Sequence, residues 1–136
     1  MKLLSSLFFV ILFSSCSAQS DAPEMVVKYE AFTRGSSIEL SATKDSITLK
    51  ENQGFKTLKM SSTDWKELIK HINKFDVSKI ATFIPPSNER VSDKALHANL
   101  IIIFEGKEYT SQTFDHGNPP KELKELLNWF FKKLEI

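Results

Sequence analysis

The chain has 136 residues, a length that suits one domain. Hydrophobic residues make up 41% and charged residues 26%, which is the norm for a folded domain, and eleven Phe supply large units of burial. Basic residues number 18 and acidic residues 17, and without Lys2 the two are equal. That balance offers neither the basic face of a nucleic-acid binder nor the polybasic run that holds a chain to an anionic membrane.

Residues 1–18 read MKLLSSLFFVILFSSCSA. One Lys, an apolar stretch and then small residues are the layout of a secretory signal. The apolar part is too short for a membrane-spanning helix, which needs roughly 20 such residues. Cys16 has two readings. Phe13-Ser14-Ser15-Cys16 resembles the bacterial lipobox, which makes Cys16 the lipidated mature N-terminus, although Phe13 stands where Leu is preferred. Ordinary cleavage after Ala18 is the other reading. Several acyl chains give a stable anchor, each buried CH2 contributing ~0.8 kcal/mol. As Cys16 is the chain's one cysteine, no internal disulfide supports the fold.

Residues 19–24 are small and polar and read as a tether, which leaves 25–136 as a single domain. Residues 25–34 alternate Val27, Tyr29 and Ala31 against Lys28 and Glu30, a strand pattern, and Gly35-Ser36 makes the turn. Ile38, Leu40 and Ala42 continue the two-residue period. Ile47 and Leu49 follow a turn at Lys44-Asp45, and Leu58 and Met60 follow one at Asn52-Gln53-Gly54.

At Ser61-Ser62-Thr63-Asp64 the period changes. Helix-capping residues lead into Trp65, Leu68, Ile69, Ile72 and Phe75, so a helix is expected over 62–75. His71 falls opposite that stripe, on the side expected to be solvated. Residues 76–94 contain Pro85-Pro86 and many turn formers, so a long irregular section is expected, anchored by Val77, Ile80 and Phe83.

Residues 98–104 form the most apolar strand, and Glu105-Gly106 suits a two-residue hairpin turn. That register sets Ile102 opposite Tyr109, Leu100 opposite Ser111, and His97 opposite Phe114. Ala98, Leu100, Ile102 and Phe104 share the face expected to meet the helices. Asn118 is read as the cap of the last helix, with Pro119 at its first position. Leu123, Leu126, Leu127, Phe130 and Leu134 form its apolar stripe, with Trp129 and Ile136 outside it. Burying each stripe residue stabilises by roughly 1.5–3 kcal/mol before chain entropy is charged. The order implies an α+β fold: a mainly antiparallel sheet of about six strands with two amphipathic helices packed on one face.

Arg34, Arg90, Asp93, Asp115 and His116 are the polar residues that stand out, and the sheet order allows them to gather at one end. Zinc held by His97 and His116 has weak support, because the spacing matches no metal motif and no Cys partner exists. An Asp–His pair with Ser92 or Ser111 lacks any nucleophile frame. An anion or carboxylate pocket built on Arg34 and Arg90 is chemically sound, since Arg pairs bidentately with such groups. The alternative is an Arg–Asp network that fixes the long loop, and it is the favoured one. The Gly117-Asn118 helix start is only a generic anion position. No cofactor motif is present in the sequence.

Pro86-Ser87, Arg90, Asp93, Ala95, Ala98, Leu100, Ile102, Gly106, Tyr109 and the run Phe114-Asp115-His116-Gly117 with Pro119-Pro120 resemble small exported lipoprotein-like proteins from Bacteroidetes-type bacteria. Tyr29 and Arg34-Gly35 fit the same pattern. The resemblance implies a single exported domain and assigns no functional residue, as the group has no established activity. The expected role is therefore a non-enzymatic envelope protein that binds another envelope protein, with a lipid anchor as its one membrane contact. A periplasmic small-ligand binder or hydrolase is the alternative.

Overall fold

The computed structural model describes residues 24–136, so the leader, Cys16 and nearly all of the tether lie outside the described residues. The fold is α+β. Strands β1 (Met25–Thr33), β2 (Ser36–Ala42), β3 (Ser46–Glu51) and β4 (Gly54–Lys59) form a meander. After helix α1 (Ser62–Ile72) and two 3-10 helices (Val77–Thr82 and Glu89–Ser92) come β5 (His97–Phe104), β6 (Lys107–Thr110), the short β7 (Phe114–Asp115) and helix α2 (Lys124–Leu134). All pairings are antiparallel in the order β4-β3-β2-β1-β5-β6, and β7 extends the pairing of β5. The chain thus returns beside its own first strand, and β1 and β5 lie in the interior of the sheet.

Alternation decides which face closes. Val27, Tyr29, Ala31, Leu40, Ala42, Ile47, Leu49, Ala98, Leu100 and Ile102 are all buried. They form one core with Leu68 and Ile72 of α1, with Leu126, Leu127, Phe130 and Leu134 of α2, and with Leu123 just before α2. The expected stripe on the last helix is therefore its core face, and Trp129 sits at the edge, donating Nε1–H to Glu67 at 3.0 Å. The opposite sheet face carries Val26, Lys28, Glu30, Asn99, Ile101 and Ile103, all half-buried, and neither α1 nor α2 packs on it.

The helices run antiparallel. Asp64 pairs with Lys133 at 2.5 Å, Glu67 with Trp129, and Lys74 with Glu125, so residues advancing along α1 meet residues receding along α2. Ser61 caps α1 by accepting the Asp64 amide at 3.0 Å. Helix α1 closes at Ile72, three residues short of the expected end, yet Phe75 still packs on the core, edge-on to Phe83.

Three other expectations change. His71 is not solvated: its side chain is 21% exposed, packed between α1 and α2 with Nδ1 3.8 Å from a Glu125 carboxylate oxygen. Antiparallel helix packing turns its flank toward α2. Helix α2 starts at Lys124, not at Asn118, because the Asn118 amide closes a tight turn on the Asp115 carbonyl at 2.9 Å. Gly117 at φ +84° makes that turn possible. A second turn, Leu123 N–H to the Pro120 carbonyl at 3.0 Å, then leads into the helix.

The third change is the register beyond Ser111. Ile102 faces Tyr109 as expected, but Ala98 faces Phe114 and His97 faces Asp115, so one residue has been inserted. The Ser111 hydroxyl causes it by accepting the Leu100 amide at 3.0 Å and donating to the Gln112 carbonyl at 2.8 Å. This bulge turns Phe114 into the core, where it is fully buried.

The Glu105-Gly106 hairpin forms with both residues at positive φ, 51° and 73°, which is the twist a two-residue turn requires. A Glu in the left-handed region is strained by roughly 1–2 kcal/mol. Glu105→Asn, which tolerates that region, is expected to raise stability by up to ~1 kcal/mol, read as a higher urea midpoint at unchanged slope.

Candidate functional site

The corner between β5 and α2 is built around one carboxylate. Asp115 is 2% exposed and accepts four hydrogen bonds. The Ser87 hydroxyl and the Glu89 amide (2.8 Å) donate to Oδ2, and the Arg90 amide and Arg90 Nη1 (each 3.0 Å) donate to Oδ1. Arg90 Nη1 also donates to the Ser87 carbonyl at 2.8 Å, and the Asn118 side-chain amide donates to Ser87 Oγ at 2.7 Å. Both amides belong to the start of the second 3-10 helix, where N–H groups lack intrahelical partners. Burial drives the Asp115 pKa upward, but the donors from Ser87, Arg90 and Glu89 outweigh it and hold the carboxyl well below the usual carboxylate range. A carboxylate so held is a poor proton acceptor, and its chemistry is to fix the loop.

His116 points the other way. Its amide bonds the Leu96 carbonyl at 3.0 Å, and its Nδ1 lies 2.6 Å from the Tyr29 hydroxyl. Tyr29 is fully buried, edge-on to Phe131, and burial pushes its hydroxyl far above the usual tyrosine range. The phenol therefore keeps its proton and donates it to Nδ1, which leaves the ring proton of neutral His116 on Nε2. Burial also lowers the His116 pKa, so the imidazole is neutral near pH 7.

Of the five residues singled out from sequence, the fold brings Arg90 and Asp115 into contact and sets His116 beside them on a separate partner. Arg34 is exposed in the β1–β2 turn and makes no ion pair among the described residues. Asp93 is exposed at φ 56° and ends the second 3-10 helix through its backbone, its amide bonding the Arg90 carbonyl. His97 stacks on Phe32 on the uncovered face, ring centroids 6.0 Å apart, while His116 turns to core residue Tyr29. The two histidines do not share a site. Ser111 is taken up by the bulge, and Ser92 Oγ donates to the Glu89 carbonyl at 3.0 Å.

Ser87, Tyr29 and Asn118 are partners at this corner that sequence reasoning does not place there: it reads Asn118 as a helix cap and Tyr29 as a strand core residue. Each depends on a contact 31 to 87 residues away in sequence, or 28 for Ser87 to Asp115, so no local pattern marks it. Two shallow concavities flank Pro86. One, of about 490 Å³, is lined by Pro85, Ser87, Asn88, Arg90 and Gln112; the other, of about 480 Å³, by Thr82, Phe83, Ile84, Lys121 and Glu122. Neither contains Arg34, Asp93 or His116. Comparison with protein-family models, with curated proteins and with solved structures found no match.

Asp115→Ala removes the carboxylate and leaves Arg90 unpaired, with its side chain only 14% exposed. The expected cost is ~3–5 kcal/mol of folding stability, measured by urea unfolding, as for one partner lost from a buried ion pair. A second effect is expected from His116, whose neutral form the fold prefers. Its stabilisation is complete above the unfolded imidazole pKa of ~6.5 and declines as pH falls below it. The slope attributable to this one proton is at most ~1.4 kcal/mol per pH unit. It is expected to vanish in His116→Gln when unfolding is compared at pH values either side of 6.

Proposed function

We propose that the chain is an exported cell-envelope protein, held to the membrane by a lipid on Cys16, with a binding or structural role and no catalytic one. The observation that carries this reading is the pairing at the corner. Asp115 accepts from Ser87, Glu89 and Arg90, and His116 accepts from Tyr29, so the groups best suited to chemistry are tied to their own fold. The competing reading, a small-ligand binder or hydrolase, asks Arg34, Arg90, Asp93, Asp115 and His116 to meet around one cavity. Arg34 and Asp93 stand apart from it, so the geometry supports the first reading better.

The export half of the proposal comes from the layout of residues 1–18 and from the resemblance to exported lipoprotein-like proteins. No helix of the described residues is long and apolar enough to cross a membrane, and the proposed membrane anchor is the lipid on Cys16. The uncovered sheet face, where Ile101 and Ile103 lie beside Lys28 and Val26, is the surface offered to a partner protein of the envelope. One fractionation experiment tests the anchor. Cys16→Ser is expected to move the chain out of the membrane fraction, and an unchanged membrane pool would sink the lipid anchor.

A further inference from the structure

The two edges of the sheet are treated differently. At β6 the first 3-10 helix packs alongside, and Gln112 donates its side-chain amide to Ala81 of that helix at 3.1 Å. At the other edge, β4 has no neighbour beyond it among the described residues, and four of its six residues are exposed. Phe55 lies on this bare strand with 72% of its surface exposed. An unguarded edge with an exposed aromatic is a template for another strand.

We infer that β4 pairs with β4 of a second copy, antiparallel and two-fold symmetric about Thr57, to make a dimer with one continuous sheet. The hydrogen-bond phase permits this register. The Met60 amide donates to the Asp45 carbonyl at 2.9 Å, one step beyond the Ser46–Lys59 pair. Antiparallel pairs alternate between bonded and unbonded, so Leu58, Lys56 and Gly54 turn their backbone groups inward to β3. Phe55, Thr57 and Lys59 therefore point theirs outward. A ladder centred on Thr57 sets Thr57 against its own copy and Phe55 against Lys59 of the second copy. Every pair in it has free donors and acceptors, giving about six new backbone hydrogen bonds.

The side chains agree with the same register. Phe55, Thr57 and Lys59 share the uncovered face, because their β3 partners Lys50, Thr48 and Ser46 alternate with buried Ile47 and Leu49. The symmetric pairing stacks the Lys59 stem and ammonium over Phe55 of the other copy, twice by symmetry. Edge lysines usually repel a second strand, but Lys56 is engaged within its own chain, where its Nζ donates to the Leu134 carbonyl at 2.8 Å. A register shifted by one residue would place Lys56 opposite Lys59 and bring inward-turned backbone groups to the edge. A second copy thus satisfies charge and hydrogen bonding together. The two-fold axis runs normal to the sheet, so both copies show their uncovered faces on one side. The dimer does not rest on the lipid anchor or on the envelope reading.

Sedimentation of the purified chain tests it, together with two variants on the outer side of β4. The parent chain is expected to double its mass as concentration rises. Thr57→Pro removes an outward amide that β3 does not use, and should sediment as a monomer at every concentration, with the melting temperature that the parent shows when dilute enough to be monomeric. Phe55→Lys sets Lys against Lys59 and should weaken the dimer at least ~10-fold without relying on proline. With Cys16→Ser as background, so that no other thiol is present, oxidation should cross-link Thr57→Cys to itself but not Thr48→Cys, which lies on β3. Paired bonded residues sit ~5.5 Å apart at Cα, within disulfide reach. A chain that stays monomeric at every concentration overturns the inference. So does a dimer that survives both Thr57→Pro and Phe55→Lys, since it would use another surface.

Discussion

A buried carboxylate holds this fold's least regular part in place. Asp115 sits at 2% exposure, where an unpaired charge is costly, and four donors from one short loop meet it. The ionised Asp115 and the closed loop thus support each other: the donors hold the carboxylate in the interior, and the carboxylate collects the loop's donors. The same residue's carbonyl closes the turn to Asn118, whose side chain returns to Ser87. One side chain and one backbone oxygen thus set the path of residues 87–90 and the point from which the chain enters α2.

The sheet carries the second constraint. Its core face is closed by two antiparallel helices stitched by Asp64–Lys133 and Glu67–Trp129, and its other face is left to solvent or to a partner. The bulge at Ser111 keeps those faces consistent near the corner. Without the extra residue Phe114 would fall opposite His97 on the uncovered side, and Asp115 would fall opposite Leu96 rather than His97. The hydroxyl of one serine, by taking an amide from the ladder, shifts both into the places the fold uses.

These constraints bear on function through what they leave free. The polar residues at the corner are committed to internal bonds, whereas neither α1 nor α2 packs on the uncovered face and no described strand pairs with the outer side of β4. Such surfaces are the ones the proposed binding role would use. The lipid anchor proposed at Cys16 would add to this by raising the local concentration of copies and partners alike.

Much of the architecture was legible in the sequence. The two-residue period placed the strands and named the buried face correctly, from Val27, Tyr29 and Ala31 through Ala98, Leu100 and Ile102. The 3.6-residue period did the same for Leu123, Leu126, Leu127, Phe130 and Leu134. These patterns are readable because each reports only the direction of a side chain relative to its own backbone. The pairing of Arg90 with Asp115 was legible as chemistry but not as geometry, and Arg34 and Asp93, grouped with them because the expected sheet order allowed all of them to gather at one end, are exposed and stand apart. Tertiary structure decided the rest: Ser87 and Tyr29 as partners, the bulge at Ser111, the late start of α2, and His71 drawn in against Glu125. The first three depend on a polar atom choosing between water, its own backbone and a group distant in sequence, and the last on how the two helices pack, so all are decided only once the chain has folded.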